Sequence, residues 1–340
     1  MESINAKQLK KIVKEIVIGL EEQVMVEGPT GIGKSEAIAQ AVEEAGGMLV
    51  DIRLGQYDSV DMRGFPGLDK ATGLTKWHAP STMPFVGNDK FPDDIPVVIF
   101  FDEITSATPP VFANCYQLAN DWSLGEHTLK PNVRMIFAGN RQQDRGVVNR
   151  MPIPLCNRLT WYSMVPDVKA WSEWAQTQGV PPMFMAFLNY RGNLLHTYDP
   201  DKPERVIATP RTWMKAIKYY SSTIPDDMKR AAMLGAVGEG PAMEFWGFHD
   251  IWHKVTPIKS ILADPVGCPL PKEEGMKYAT AVSVSGAMTV KTVAPLFTFL
   301  KRMDPEYVIL AWQLALARDM SLYEGPEMVE FSKRYRVVFK

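Results

Sequence analysis

Gly28-Pro29-Thr30-Gly31-Ile32-Gly33-Lys34-Ser35 is the stretch on which the reading of this chain turns. It matches GxxxxGK[ST], a loop whose backbone amides converge on phosphate. Its glycines let the main chain approach an anion without Cβ clashes. Upstream, Gln23 to Glu27 reads QVMVE, a short apolar strand, and a helical pattern follows from Glu36 to about Glu44. Strand, loop and helix in that order are the context the loop requires, and the helix adds free N–H groups and its dipole. Lys34 is then expected to reach the β- and γ-phosphates of a nucleotide, and Ser35 to ligate Mg²⁺. A glycine-rich turn without a ligand is the plain alternative, and the flanking elements weigh against it.

Ile95 to Phe101, IPVVIFF, reads as a strand buried on both faces, the kind found in a parallel sheet. It ends at Asp102-Glu103, and ligands of doubly wound folds bind at such strand ends. Asp102 is expected to hold Mg²⁺ through water, and Glu103 to orient and polarise an attacking water. The rival reading is an acidic cap on the helix that starts near Pro109. A third strand pattern, Val133 to Ala138, ends at Gly139-Asn140. Asn140 there can hold the attacking water or read the γ-phosphate, although Gly-Asn is also an ordinary turn dipeptide.

Composition narrows the classes. The 340 residues are 46% hydrophobic and 22% charged, which supplies a core and excludes a disordered chain. Lys and Arg number 37 against 39 for Asp and Glu, which argues against a globally basic nucleic-acid binder. Cys115, Cys156 and Cys268 lack metal-ligand spacing and are odd in number, which fits a reducing compartment. No apolar run approaches the roughly 20 residues of a membrane span. The N-terminal lysines Lys7, Lys10, Lys11 and Lys14 interleave with Ile12, Val13, Ile16 and Val17, an amphipathic helix pattern and not a leader. The expected location is the cytoplasm. His249 and His253 stand one helical turn apart, and aromatic packing explains them better than a metal pair.

In this order the pieces resemble the AAA+ ATPases, and most closely their MoxR-like branch. Gly28 to Ser35 looks like Walker A, Asp102-Glu103 like Walker B, and Asn140 like the first sensor. Gln56 to Gly64 resembles the segment leading into the family's inserted hairpin, with Leu68 to Pro84 in the insert's place. Asp121 to Leu129 resembles a hairpin whose turn faces the ring pore in that family. Arg158, in PLCNRL, falls where the family carries its arginine finger, with Arg150 and Arg145 as rivals. Arg211, in ATPR, falls at the second sensor position, although it also reads as a first-turn surface charge. Arg suits both tasks through its permanent charge and rigid donor fork. The match spans roughly residues 10 to 235.

The resemblance implies an α/β AAA+ core with a parallel sheet over 1–165, a helical lid over 166–239, and a mostly helical extension over 240–340. The tail patterns point to helices at Pro305–Ala317 and Pro326–Tyr335, with Ser260–Lys277 as a Pro- and Gly-rich connector. The implied activity is Mg²⁺-dependent hydrolysis of ATP to ADP and phosphate in a homo-oligomeric, hexameric ring. It would remodel or mature a protein partner, such as one bearing a von Willebrand A-type domain. The alternative is a nucleic-acid translocating motor. Lys70, Lys76 and Lys90 near the insert are offset by Asp69, Asp89, Asp93 and Asp94. A non-hydrolysing nucleotide switch and a small-molecule kinase are further classes, opposed by Glu103 and by Asn140 with the two arginines.

Overall fold

The computed structural model describes residues 3–141, 144, 149–202 and 204–335. Its strands are β1 Ser3–Ile4, β2 Val24–Glu27, β3 Met48–Arg53, β4 Phe65–Leu68, β5 Thr75–His78, β6 Val97–Asp102, β7 Ser123–Leu124, β8 His127–Thr128, β9 Val133–Gly139 and β10 Thr160–Met164. Six of them form one sheet in the order β1-β10-β2-β9-β6-β3, with every pairing parallel. Parallel neighbours need crossovers, so helices cover the faces and the strands are apolar on both sides.

The two-residue period of β6 shows how the layers form. Val97, Ile99 and Phe101 pack with Met25, Met135 and Phe137 against Val111, Cys115 and Leu118 of the helix Pro109–Asp121. Val98 and Phe100 turn the other way. They join Val24, Val26 and Ile136 against Leu9 and Val13 near the N-terminus and Ile38 and Val42 of the helix Lys34–Glu44. Truncating one of these fully buried rings, as in Phe100→Ala, costs about 3–5 kcal/mol. The result is an α/β fold with a parallel core sheet and flanking helices.

The first helix expected over Ala6 to Leu20 is α-helical only over Ala6–Ile12 and continues as a π-helical segment, Val13–Ile18. Leu9, Val13 and Val17 remain buried along it. Asn5 caps its start through a reciprocal pair with Gln8.

The span 54–94 contains the β4–β5 antiparallel hairpin, with Phe65 opposite His78 and Leu68 opposite Thr75. Phe65 and Leu68 are 63% and 71% exposed, so the hairpin presents apolar side chains outward. The shorter β7–β8 hairpin turns at Gly125, whose φ is +60°. Arg63 ties the two hairpins together. Its guanidinium lies 4.4 Å from the Trp77 ring centroid, and its Nε stands 3.2 Å from where a Cβ on Gly125 would be.

The chain divides into two compact units, Met1–Trp174 with Leu195–Lys215, and Ala175–Leu194 with Ala216–Lys340. Among its described residues the second unit is helical, and the tail helices run over Glu239–Trp252, Ile258–Ala263, Glu274–Ala287, Val293–Leu300, Pro305–Arg318 and Pro326–Arg334. Trp312 anchors them, stacked on Phe331 at 4.9 Å and edge-on to Phe297 at 5.3 Å. The expected connector Ser260–Lys277 instead holds the short helix Ile258–Ala263 and the start of Glu274–Ala287. The latter escapes an apolar periodicity because it packs through small residues, Ala279, Ala281 and Ser285. No described helix is long and apolar enough to cross a membrane.

Candidate functional site

Strand register assembles the site. Glu27 at the end of β2 lies opposite Gly139 at the end of β9, and Phe101 of β6 lies opposite Phe137 of β9. The ends of β2, β9 and β6 therefore sit side by side at one edge of the sheet, with β9 in the middle. The Gly28–Gly33 loop leaves this edge, and the Gly28 N–H donates to the Gly139 carbonyl at 3.3 Å. Gly31 and Gly33 have φ of +74° and +93°, and Gly33 starts the helix Lys34–Glu44 from this left-handed conformation. Ile32 turns inward to the core while Thr30 is exposed.

Lys34 is buried beneath this loop. Its Nζ donates to the carbonyls of Gly28 at 2.6 Å and Pro29 at 3.0 Å, and to Asn140 Oδ1 at 3.4 Å. Burial pulls its pKa down from 10.5 to about 8; Asp102 and Asp144 oppose that shift, while Arg211 and Arg141 add to it. Ser35 Oγ donates to Asp102 Oδ2 at 2.9 Å. A hydroxyl and a carboxylate so placed are hard oxygen donors at one point, beside a phosphate loop, and they fit Mg²⁺. Among the described residues no group of three or more His, Cys, Asp or Glu could hold a metal ion, and His249 and His253 are part of an aromatic cluster.

Glu103 has a left-handed backbone, φ 56° and ψ 32°, and its N–H donates to Asp102 Oδ1 at 2.8 Å. That conformation is unfavourable for Glu and turns the chain sharply at the strand end. The side chain is exposed, with Oε2 3.3 Å from where a Cβ on Gly55 would lie. Thr105, two residues on, is buried and accepts from the Asn140 N–H at 3.3 Å.

Arg211 approaches from a distant part of the chain. Its N–H donates to the Gly31 carbonyl at 3.1 Å. It stands in the first turn of the helix Pro210–Tyr220, which Thr209 caps by accepting from the Thr212 N–H at 3.1 Å. Thr209 is buried, and a Cβ on Gly31 would meet its Oγ1 at 2.6 Å, so glycine is the residue that fits there. Arg211 is exposed in the first turn of that helix, where the helix dipole disfavours a positive charge.

Arg158 is elsewhere. β10 starts at Thr160, opposite Val24, the first residue of β2, whereas the loop follows the last residue of β2. Three strand steps of about 3.3 Å separate those ends, so Arg158 precedes the opposite edge of the sheet. There Asn120 Oδ1 accepts from its Nε at 2.8 Å and Nη2 at 2.6 Å, the Pro154 carbonyl accepts from Nη1 at 2.8 Å, and the guanidinium lies 4.5 Å from the Tyr116 ring centroid. Arg150 is exposed, and Arg145 lies outside the described residues.

The structure thus brings Lys34, Ser35, Asp102 and Asn140 into contact, sets Glu103 next to Asp102 and Arg211 on the loop, and keeps Arg158 apart. Sequence reasoning missed Thr105, Arg141, Asp144, His196 and Tyr198. An acid three residues after the arginine that follows Asn140 was the one local signal. His196, whose Nε2 lies 3.3 Å from the Thr30 carbonyl, has no signal near it in sequence. Burial lowers its pKa.

No family model matches the chain, and no curated protein matches it. Among solved structures it is similar to NtrX from Brucella abortus, at 15% identity and a TM-score of 0.40 over 92% of this chain and 69% of that one. It is also similar to a RuvB mutant from Thermotoga maritima, at 14% identity and 0.38 over 88% of each chain. A third is Hsp104 in a closed state, at 14% identity and 0.35 over 65% of this chain and 38% of that one.

Proposed function

We propose that the protein is a Mg²⁺-dependent ATPase of the AAA+ type, close to the MoxR-like branch, that hydrolyses ATP in a ring of like subunits to remodel a protein partner. One observation carries the reading. Lys34, Ser35, Asp102 and Asn140 converge at the loop, while Arg158 sits at the opposite sheet edge. A site with its phosphate loop on one edge and its finger on the other is completed by a neighbouring subunit.

In this reading the Gly28–Ser35 amides cradle the phosphates and Lys34 balances charge on the β- and γ-phosphates. Ser35 and Asp102 hold Mg²⁺, which when bound neutralises charge on the transferring phosphoryl group. Glu103 accepts a proton from the attacking water, and Asn140 orients that water or the γ-phosphate. Arg158 of one subunit stabilises the transition state in the next, and Arg211 links the helix Pro210–Tyr220 to nucleotide state. The outward apolar residues of the β4–β5 hairpin, Phe65 and Leu68, suit work on a protein client in the cytoplasm, with a von Willebrand A-type domain as a candidate partner.

The test is ATP turnover per subunit over a wide range of protein concentration, with Arg158→Ala alongside and particle size followed in parallel. A rise with concentration that the variant lacks, together with assembly into a ring, supports shared sites. Turnover independent of concentration in a monomer, undiminished in Arg158→Ala, overturns them.

A further inference from the structure

One cation at this edge of the sheet has no task in the reading above. Arg141 follows Asn140 directly, so it leaves the end of β9 between the loop on β2 and Asp102 on β6. Its Nε donates to Asp144 Oδ2 at 3.3 Å and its Nη2 to Oδ1 at 3.1 Å, while its backbone N–H also reaches Oδ2 at 3.2 Å. The Asp144 side chain is only 5% exposed and that of Arg141 24%. Pairs three residues apart on a surface do little. A carboxylate withdrawn from water to grip one guanidinium with two bonds fixes the direction of that guanidinium.

Asp144 itself is tied back toward the phosphate loop. The Tyr198 hydroxyl donates to the Asp144 carbonyl, and two residues earlier His196 contacts Thr30. Asn140, Lys34, Thr30, His196, Tyr198, Asp144 and Arg141 therefore form a chain of neighbours around the loop. Arg141 Nη1 has no hydrogen-bond partner among the described residues, so the fork retains free donors after Asp144 is satisfied. Its charge acts on Glu27, Lys34 and His196, which border the loop on different sides. Lys34, Arg141 and Arg211 place three cations about one loop, an arrangement that a multiply charged anion relieves.

We infer that Arg141 is a nucleotide-binding residue of this chain's own site, aimed by Asp144 at the terminal phosphate of ATP, and that it lets the site tell ATP from ADP. The inference rests on the ATP-binding reading above. The terminal phosphate is the one in reach because the end of β9 stands between the loop and Asp102. Lys34, Ser35 and Asp102 meet at that strand end, and they are the residues that would hold the β- and γ-phosphates with their metal. Asp144 is a positioning residue and touches no nucleotide.

The experiment is equilibrium binding of two fluorescently labelled nucleotides, ADP and a non-hydrolysable ATP analogue, with Mg²⁺, to the full chain. Wild type, Arg141→Ala, Arg141→Lys, Asp144→Asn and Lys34→Ala are compared, with thermal unfolding in the absence of nucleotide. Arg141→Ala is expected to weaken the ATP analogue about ten- to hundredfold while leaving ADP unchanged. Arg141→Lys keeps the charge without the fork and recovers part of the loss. Asp144→Asn gives a smaller loss, again selective for the ATP analogue. An unchanged ATP-to-ADP affinity ratio in Arg141→Ala overturns the inference, whether both nucleotides bind normally or both weaken together. If that variant fails to fold, a wild-type ratio in Arg141→Lys overturns it instead. When Lys34→Ala loses both nucleotides and the ratio stays fixed in the Arg141 variants, only this inference falls. A wild-type chain that binds neither nucleotide sinks the ATPase reading as well.

Discussion

Asn120 holds Arg158 with a single oxygen, Oδ1, which accepts from Nε at 2.8 Å and Nη2 at 2.6 Å at the sheet edge opposite the phosphate loop. The guanidinium is thereby fixed while the Gly28–Ser35 loop of its own chain lies at the other end of the strands. Arg158→Ala should leave nucleotide affinity within error of wild type and lower turnover by about 10³-fold or more, the scale of a lost arginine finger. Turnover at the wild-type rate would move the role to Arg150 or Arg145. Asn120→Ala, which loosens the fork without removing the charge, should fall between the two in a steady-state assay.

Glu103 offers a separation of strain from chemistry. Its left-handed backbone disfavours any side chain with a Cβ, so Glu103→Gly should stabilise the fold by about 1 kcal/mol while abolishing turnover. Glu103→Gln should keep the strain and the ATP binding, and lose only turnover. Denaturant midpoints for the two variants check this, and a destabilised Glu103→Gly would show that the carboxylate holds the turn.

If the chain binds ATP as proposed, Lys34 ties that binding to protons. The folded-state pKa of about 8 lies below the ordinary 10.5, so between these values the unfolded chain holds a proton that the nucleotide-free fold does not. Stability of the nucleotide-free protein should therefore rise with pH across that window. Phosphate restores the charged form, so ATP binding should take up a proton above a pH of about 8 and weaken as pH climbs. Calorimetry in buffers of different ionisation heat reads the uptake directly, and a uniform zero above that pH contradicts it.

Gly31 and Gly33 differ in surroundings although both have positive φ. A Cβ on Gly33 meets nothing within 4 Å, whereas one on Gly31 meets Thr209 at 2.6 Å. Gly33→Ala should cost about 1–2 kcal/mol through its backbone alone. Gly31→Ala should lose about 1–3 kcal/mol more through the overpacked contact. Equal losses in a denaturant series would mean that the Thr209 contact yields freely.

The legible parts of this protein are those where chemistry and local conformation coincide. A loop that cradles phosphate needs Gly, Lys and Ser at fixed spacing, and the β6 run VVIFF, Val97 to Phe101, is apolar throughout because both faces are covered. Other features depend on contacts between distant segments. Thr209 beside Gly31 and His196 beside Thr30 leave no trace in a window of sequence. The left-handed Glu103 was invisible because nothing in its side chain favours that conformation. The helix Glu274–Ala287 was lost because Ala, Ser and Thr can pack closely without an apolar stripe.

Leu195–Lys215 belongs to the first unit although the chain on both sides of it belongs to the second. During synthesis, a nascent chain that has emerged only as far as Trp174 has the sheet, the phosphate loop, Asp102 and Asn140. It lacks Thr209 against Gly31 and the Arg211 N–H on the Gly31 carbonyl. Domains tend to fold as units as they leave the ribosome, from the N-terminus onward. Here the loop precedes its cover in the chain, so Thr209 and the Arg211 N–H are added to a Gly31 that the first 174 residues already carry.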